Sequence, residues 1–156
     1  MKNNFTIILL LVFISLQFTS SKYQDGEFKF LSDFKPFTEI QSFEAHSKQI
    51  TTLIKLSNGM LASGSFDETL KLWNPLKKFE LVKTIRPNSN WITSIIELEN
   101  GLLAVGSYDS KIFIFDMKKD FELVQTLYVS SKPIWALAKL ENGLFASGDG
   151  GSVVRI

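Results

Sequence analysis

His46, Ser63 and Asp67 put a base, a hydroxyl and an acid inside one 22-residue window. Those are the residue types of nucleophilic hydrolysis, in which the imidazole takes the hydroxyl proton and the carboxylate orients the imidazole. His46 is the only histidine, and there is no cysteine, so disulfides, thiolate chemistry and zinc–sulfur sites are excluded. Asp25, Asp67 and Asp109 recur every 42 residues, which is the spacing of turn residues and not of a metal cluster; no metal and no cofactor are expected. The Gly-x-Gly at 148–150 belongs to a hairpin, not to the strand–helix junction of a phosphate loop. A net charge of +1 gives no electrostatic reason for nucleic acid or an anionic membrane as partner. The lysine pairs Lys77-Lys78 and Lys118-Lys119 stand in polar loops with acids nearby, the pattern of solvated side chains.

The elements that position these residues are repeated. Residues 50–73 read ITTLIKLSNGMLASGSFDETLKLW, residues 92–115 read ITSIIELENGLLAVGSYDSKIFIF, and residues 134–156 read IWALAKLENGLFASGDGGSVVRI. The offset is 42 residues at both steps, with Asn58, Asn100 and Asn142 coincident and Gly64, Gly106 and Gly148 coincident. Apolar residues make up 45% and charged ones 21%, as in a globular chain, and the 14 phenylalanines favour strands. In the first unit a β-branched run, Ile50–Leu56, ends at Asn58-Gly59, a two-residue hairpin signal with positive φ at both positions. A second strand over Met60–Ser65, a turn carrying Phe66-Asp67-Glu68, a third strand over Thr69–Trp73 and a fourth over Glu80–Ile85 complete the unit. Four antiparallel strands in a period of about 40–45 residues describe one propeller blade.

With LASGSFDETLKLWN in view, the chain resembles the WD-repeat β-propellers: Asp67 lies in the turn between second and third strands, Trp73 closes the third, and Ala45-His46 stands where that family has Gly-His. The fold class expected is all-β, an arc of four-stranded antiparallel blades too few to close as a monomer. Residues 22–43 read as a half blade, 44–85 as a complete blade, 86–127 as a complete but degenerate one, and 128–156 as a truncated one. The second has Asn88 for the histidine, Val105 for Ser63 and Phe115 for the tryptophan; the third has Gly151 in place of the aspartate. The resemblance implies a structural role for His46, Ser63, Asp67 and Trp73, a buried hydrogen-bonded tetrad in place of a catalytic triad.

It also implies that ligands bind where the leading loops and the second–third strand turns converge. The matching positions are Gln49, Thr51 and Phe66, then Trp91, Thr93 and Tyr108, then Pro133, Trp135 and Gly150. The candidate partner-binding residues are the aromatic ones, Phe66, Trp91, Tyr108 and Trp135, because tryptophan and tyrosine are favoured interface anchors. The competing expectation is that Trp91 and Trp135 pack between blades as core. The function expected is a non-enzymatic scaffold for a protein or peptide partner; the alternatives are a secreted propeller hydrolase and a degenerate product without independent function. A ring closes with about 4–8 blades, so the chain is expected to be a fragment or truncated product, or to complete a ring as a homodimer.

The stretch FTIILLLVFISLQF at 5–18 has two readings. Lys2, the apolar run and Thr19-Ser20-Ser21 fit a signal peptide over residues 1–21, and hence a secreted or lumenal protein. Its removal takes the 17 cations to 16 against 16 acids. The alternative is an eroded first strand of a cytoplasmic protein, since one more step of 42 puts Ile8 under Ile50 and Leu11 under Leu53. Fourteen helical residues reach about 21 Å, short of a hydrocarbon core of roughly 30 Å, so a stable membrane span is not expected.

Overall fold

The computed structural model describes residues 42–87 and 90–156. The stretch at 5–18, Asn88 and the half blade at 22–43 up to residue 41 lie outside the described residues. Phe43–Ile156 form one compact unit. Its strands make three antiparallel sheets: β1 (Ile50–Lys55), β2 (Leu61–Ser65), β3 (Leu70–Asn74) and β4 (Glu80–Ile85); β5 (Ile92–Glu97), β6 (Leu102–Ser107), β7 (Lys111–Asp116) and β8 (Glu122–Tyr128); and β9 (Ile134–Lys139), β10 (Phe145–Asp149) and β11 (Val154–Arg155). Neighbours in sequence are neighbours in each sheet, and no sheet closes on itself. The architecture is all-β, an open set of propeller-like blades.

The first hairpin differs from the two-residue turn expected. Leu56 N–H donates to Met60 O at 2.8 Å, so the strands stop a residue short on each side. Gly59 takes φ of +84°, but Asn58 stays out of the left-handed region and accepts the Met60 amide through its side chain instead. In the next two blades both residues are left-handed, with φ of 59° at Asn100 and Asn142 and of 82° and 75° at Gly101 and Gly143. The loops from third to fourth strand repeat their construction. Asn74 and Asp116 each cap a short 3-10 turn, after which Lys78-Phe79 and Asp120-Phe121 both adopt positive φ.

Strand alternation decides which face each residue serves. On β7, Phe113 and Phe115 point into the core shared with the first sheet, whereas Ile112 and Ile114 point to the third. The two inner strands of the middle sheet, β6 and β7, are therefore buried on both faces and read as near-continuous apolar runs. The sheets approach closely because a glycine sits at each joint. A Cβ on Gly64 would lie 2.5 Å from Ile92 Cγ2, and one on Gly106 would lie 3.0 Å from Ile134 Cγ2. Thr51 Oγ1 donates to Ile92 O and Thr93 Oγ1 to Ile134 O, both at 2.6 Å, beside those glycines. Thr51 and Thr93, expected among the ligand-facing positions, thus join blade to blade.

Gly148 occupies the same place in the third sheet, but the nearest atom to its virtual Cβ is Ala136 Cβ at 3.8 Å, within its own sheet. Gly64→Ala should accordingly destabilise by about 1–3 kcal/mol through overpacking, while Gly148→Ala should change stability by less than about 0.5 kcal/mol. Urea midpoints of the two variants test this; equal shifts would remove the glycine joint as the reason for close packing.

Candidate functional site

The segment before β1 and the turn between β2 and β3 are tied by His46. Its Nδ1 lies 3.1 and 2.9 Å from the two Asp67 carboxylate oxygens, and its Nε2 lies 2.7 Å from Ser63 Oγ. Trp73 Nε1 donates to the same hydroxyl at 2.8 Å. The proton positions follow from what each group can do. A carboxylate only accepts, so Nδ1 carries the imidazole proton. An indole N–H only donates, so Ser63 accepts from Trp73 and gives its own proton to Nε2. The four residues form one directed chain, with the His46 side chain fully buried and that of Asp67 8% exposed. Thr69 Oγ1 donates to Asp67 at 2.5 Å, and the Thr69 and Ser47 amides donate to it at 3.1 Å each.

Two titrations follow from this packing. Burial pushes the His46 imidazole down from 6.5, and the Asp67 bond and charge only partly offset it. For Asp67 burial would raise the carboxyl, but the bonds from Thr69, Ser47 and His46 outweigh it and hold it down to about 2. Ser63 is 1% exposed, and its hydroxyl already donates to His46 and accepts from Trp73, so a substrate carbonyl has no approach to it.

The other two blades hold the turn differently. In the second, Asp109 pairs with Lys111 Nζ at 2.8 Å. In the third, Gly151 leaves the turn without its aspartate, and Asp149, two residues earlier, supplies the carboxylate. Ser130 Oγ donates to it at 2.5 Å, the Gly151 and Val153 amides at 2.9 and 3.2 Å, and Arg155 ion-pairs with it. The Ser130 and Arg155 bonds hold the Asp149 carboxyl well below the usual carboxylate range. Ser130 occupies the repeat position of His46, two steps of 42 on. Sequence reading missed this substitution; the signal was an aspartate standing where the first two blades have Ser65 and Ser107.

The four aromatic candidates come together in a single row. Phe66 stacks on Trp91 with centroids 4.3 Å apart, Trp91 lies 4.7 Å from Tyr108, and Tyr108 meets Trp135 edge-on at 5.5 Å. The turn tips are pinned to the leading loops by backbone bonds, Phe66 N to Gln49 O and Tyr108 N to Trp91 O, both 3.0 Å, and Gly150 N to Pro133 O at 2.9 Å. Gly150 replaces the ring of Phe66 and Tyr108, and a Cβ there would sit 3.3 Å from Trp135 Nε1, so its bareness makes room for that indole. Trp91 is half-buried within the row, whereas Tyr108 is 38% and Trp135 47% exposed. Neither Trp91 nor Trp135 is core. Among the described residues no group of His, Asp and Glu is placed to hold a metal ion, and no helix is long and apolar enough to cross a membrane.

Two four-stranded sheets and a three-stranded one in an open array, the first with a His–Asp–Ser–Trp hydrogen-bonded chain, define the class. Residues 37–74 match the family described as WD domain, G-beta repeat. The match covers the first blade alone; the second and third sheets repeat its strand order without matching the family description. No curated protein matches the chain.

His46→Ala leaves Ser63 without an acceptor and Asp67 without its longest-range partner, and should cost about 1–3 kcal/mol. An unchanged denaturation midpoint would remove the structural role of the chain. Both folded-state pKa values are depressed, so the unfolded chain binds more protons in each window and stability rises with pH there. Stability should fall as the pH drops through and below 6.5, where only unfolded His46 protonates, and again from 3.8 towards about 2 with Asp67. The His46→Ala variant should lose the first step, as read from urea midpoints across a pH series.

Proposed function

We propose that the chain is a non-enzymatic interaction scaffold that takes a protein or peptide partner on the row Phe66–Trp91–Tyr108–Trp135. One observation carries this reading: four rings from three successive blades touch in sequence and leave Tyr108 and Trp135 substantially open to solvent. Rings already locked against each other lose little freedom on binding, which is what makes tyrosine and tryptophan efficient anchors. The rings fill one another's faces, so the row offers a continuous apolar strip and not separate slots for single cations or bases. The net charge of +1 adds no field for nucleic acid and leaves a protein as the favoured partner. The closed environment of Ser63 supports the tetrad of His46, Ser63, Asp67 and Trp73 as structural and counts against a hydrolase.

Peptides selected from a random display library on the wild-type chain should bind a Tyr108→Ser/Trp135→Ser variant at least about tenfold more weakly, a loss of ~1.4 kcal/mol. More than half of each ring is buried, so the variant should also lose some stability, and binding is compared under conditions in which both proteins remain folded by circular dichroism. Selected peptides that bind both proteins equally would place the partner surface elsewhere.

We further propose that residues 1–21 are a signal peptide and that the mature protein is secreted or lumenal. Expression in a secretion-competent host followed by N-terminal sequencing should give a new terminus near Ser21. An intact Met1 would overturn the signal and favour the eroded strand.

A further inference from the structure

The aromatic row is unevenly supplied with hydrogen-bonding groups. The backbone carbonyls beside it, Gln49 O, Trp91 O and Pro133 O, already accept from the turn-tip amides of Phe66, Tyr108 and Gly150 at 3.0, 3.0 and 2.9 Å. The Trp91 amide is used as well, donating to Asn90 Oδ1 at 2.9 Å. By contrast, the indole N–H groups of Trp91 and Trp135 and the hydroxyl of Tyr108 have no hydrogen-bond partner among the described residues. An indole N–H only donates, and a phenol donates readily. Apart from the Gln49 amide at one end, the row therefore offers donors set in apolar ring surface and few acceptors.

Its charge points the same way. Exposed lysines stand at both ends. Ser65 Oγ donates to Lys48 O at 3.2 Å, which places Lys48 beside the Phe66 turn. Lys132 Cγ lies 3.3 Å from where a Cβ on Gly151 would stand, next to the bare Gly150 turn against Trp135. Of the carboxylates in the three turns, Asp67 is held by His46, Asp109 by Lys111 and Asp149 by Arg155, which leaves Glu68 against the two lysines.

An ordinary extended peptide brings an N–H with every C=O, and over this row its amides would meet rings and no acceptor. Proline has no N–H to leave unpaired, and a polyproline II segment makes no internal hydrogen bonds, so its carbonyls are all available to donors. We propose that the row binds a proline-rich segment of a partner protein in the polyproline II conformation, with acidic residues flanking the prolines. This rests on the row being the partner surface. Trp91, Tyr108 and Trp135 donate to the carbonyls of the segment while its pyrrolidine rings lie on the aromatic rings. Phe66, Trp91 and Tyr108, at the joint of the first two blades, supply most of that surface. The planes of Tyr108 and Trp135 stand 81° apart and make a corner for one proline ring. The two lysines meet the flanking acids. Such a segment arrives already extended and loses little freedom on binding.

The test titrates the full chain, followed by tryptophan fluorescence, with three capped synthetic peptides. One has six prolines between two glutamates, one has six prolines between two lysines, and one has an alternating Thr-Val core of the same length between two glutamates. Six prolines in this conformation extend about 19 Å, enough to cross ring steps of 4.3, 4.7 and 5.5 Å. The glutamate–proline peptide should bind at least about tenfold more tightly than the Thr-Val peptide. It should also bind more tightly than the lysine–proline peptide, by a margin that shrinks as salt is added. Tyr108→Phe keeps the ring and removes the donor, and should weaken the glutamate–proline peptide roughly threefold to tenfold. Equal affinities for the three peptides, or an affinity that Tyr108→Phe leaves unchanged, overturn the proposal. If library-selected peptides still lose affinity with Tyr108→Ser/Trp135→Ser in that case, the row remains a partner surface for another kind of segment. If they too are indifferent to the double substitution, the row as partner surface falls with it.

Discussion

An isoleucine from the first strand of one blade sits on a glycine in the second strand of the blade before it. Ile92 lies on Gly64 and Ile134 on Gly106, and a threonine hydroxyl reaches across to the carbonyl of each isoleucine. The rest of the molecule depends on this joint. Any side chain at Gly64 would hold the sheets apart and open the core that Leu70, Leu72, Ile95, Val105 and Phe113 share. The threonine bond adds direction to a contact that hydrophobic burial alone would leave free to slide. Together they set the spacing at which the turn tips of one blade meet the leading loop of the next, and so bring Phe66 against Trp91 and Tyr108 against Trp135.

Each blade carries a carboxylate at the turn between its second and third strands, and in the first and third blades it also ties the leading segment to that turn. Asp67 works through a neutral imidazole, Asp109 pairs with a lysine, and Asp149 is met by a serine and an arginine. The common constraint is electrostatic. A buried carboxylate needs donors on most of its lone pairs, and turn amides supply some of them wherever the chain bends this way. The remaining donor can be exchanged so long as it reaches the same oxygen. The histidine solution differs from the others in one respect: it makes part of the stability of the first blade depend on pH near neutrality.

Much of the fold was legible because the blade is a local object. Strand alternation, turn residues and the 42-residue period all act over short separations, and the four strands of each full unit follow from them. Ladder bonds confirm their order, with boundaries moved by a residue where the first hairpin adopts a wider turn. Less legible were features that join one repeat to another or replace a missing residue within one. Thr51 and Thr93 are polar residues near a loop in sequence, and only the neighbouring blade turns them into joints. Asp149 looks like a misplaced aspartate until Ser130 and Arg155 are seen around it.

By itself the sequence determined the blade: its strands, the turn carboxylates Asp67 and Asp109 and, through the family resemblance, the residues His46, Ser63, Asp67 and Trp73 as one set. It also singled out Phe66, Trp91, Tyr108 and Trp135, but as four separate positions, with the exposure of the two tryptophans undecided. Only the tertiary structure made them one row, half open to solvent, because ring contacts across blades depend on the distance the glycine joints allow.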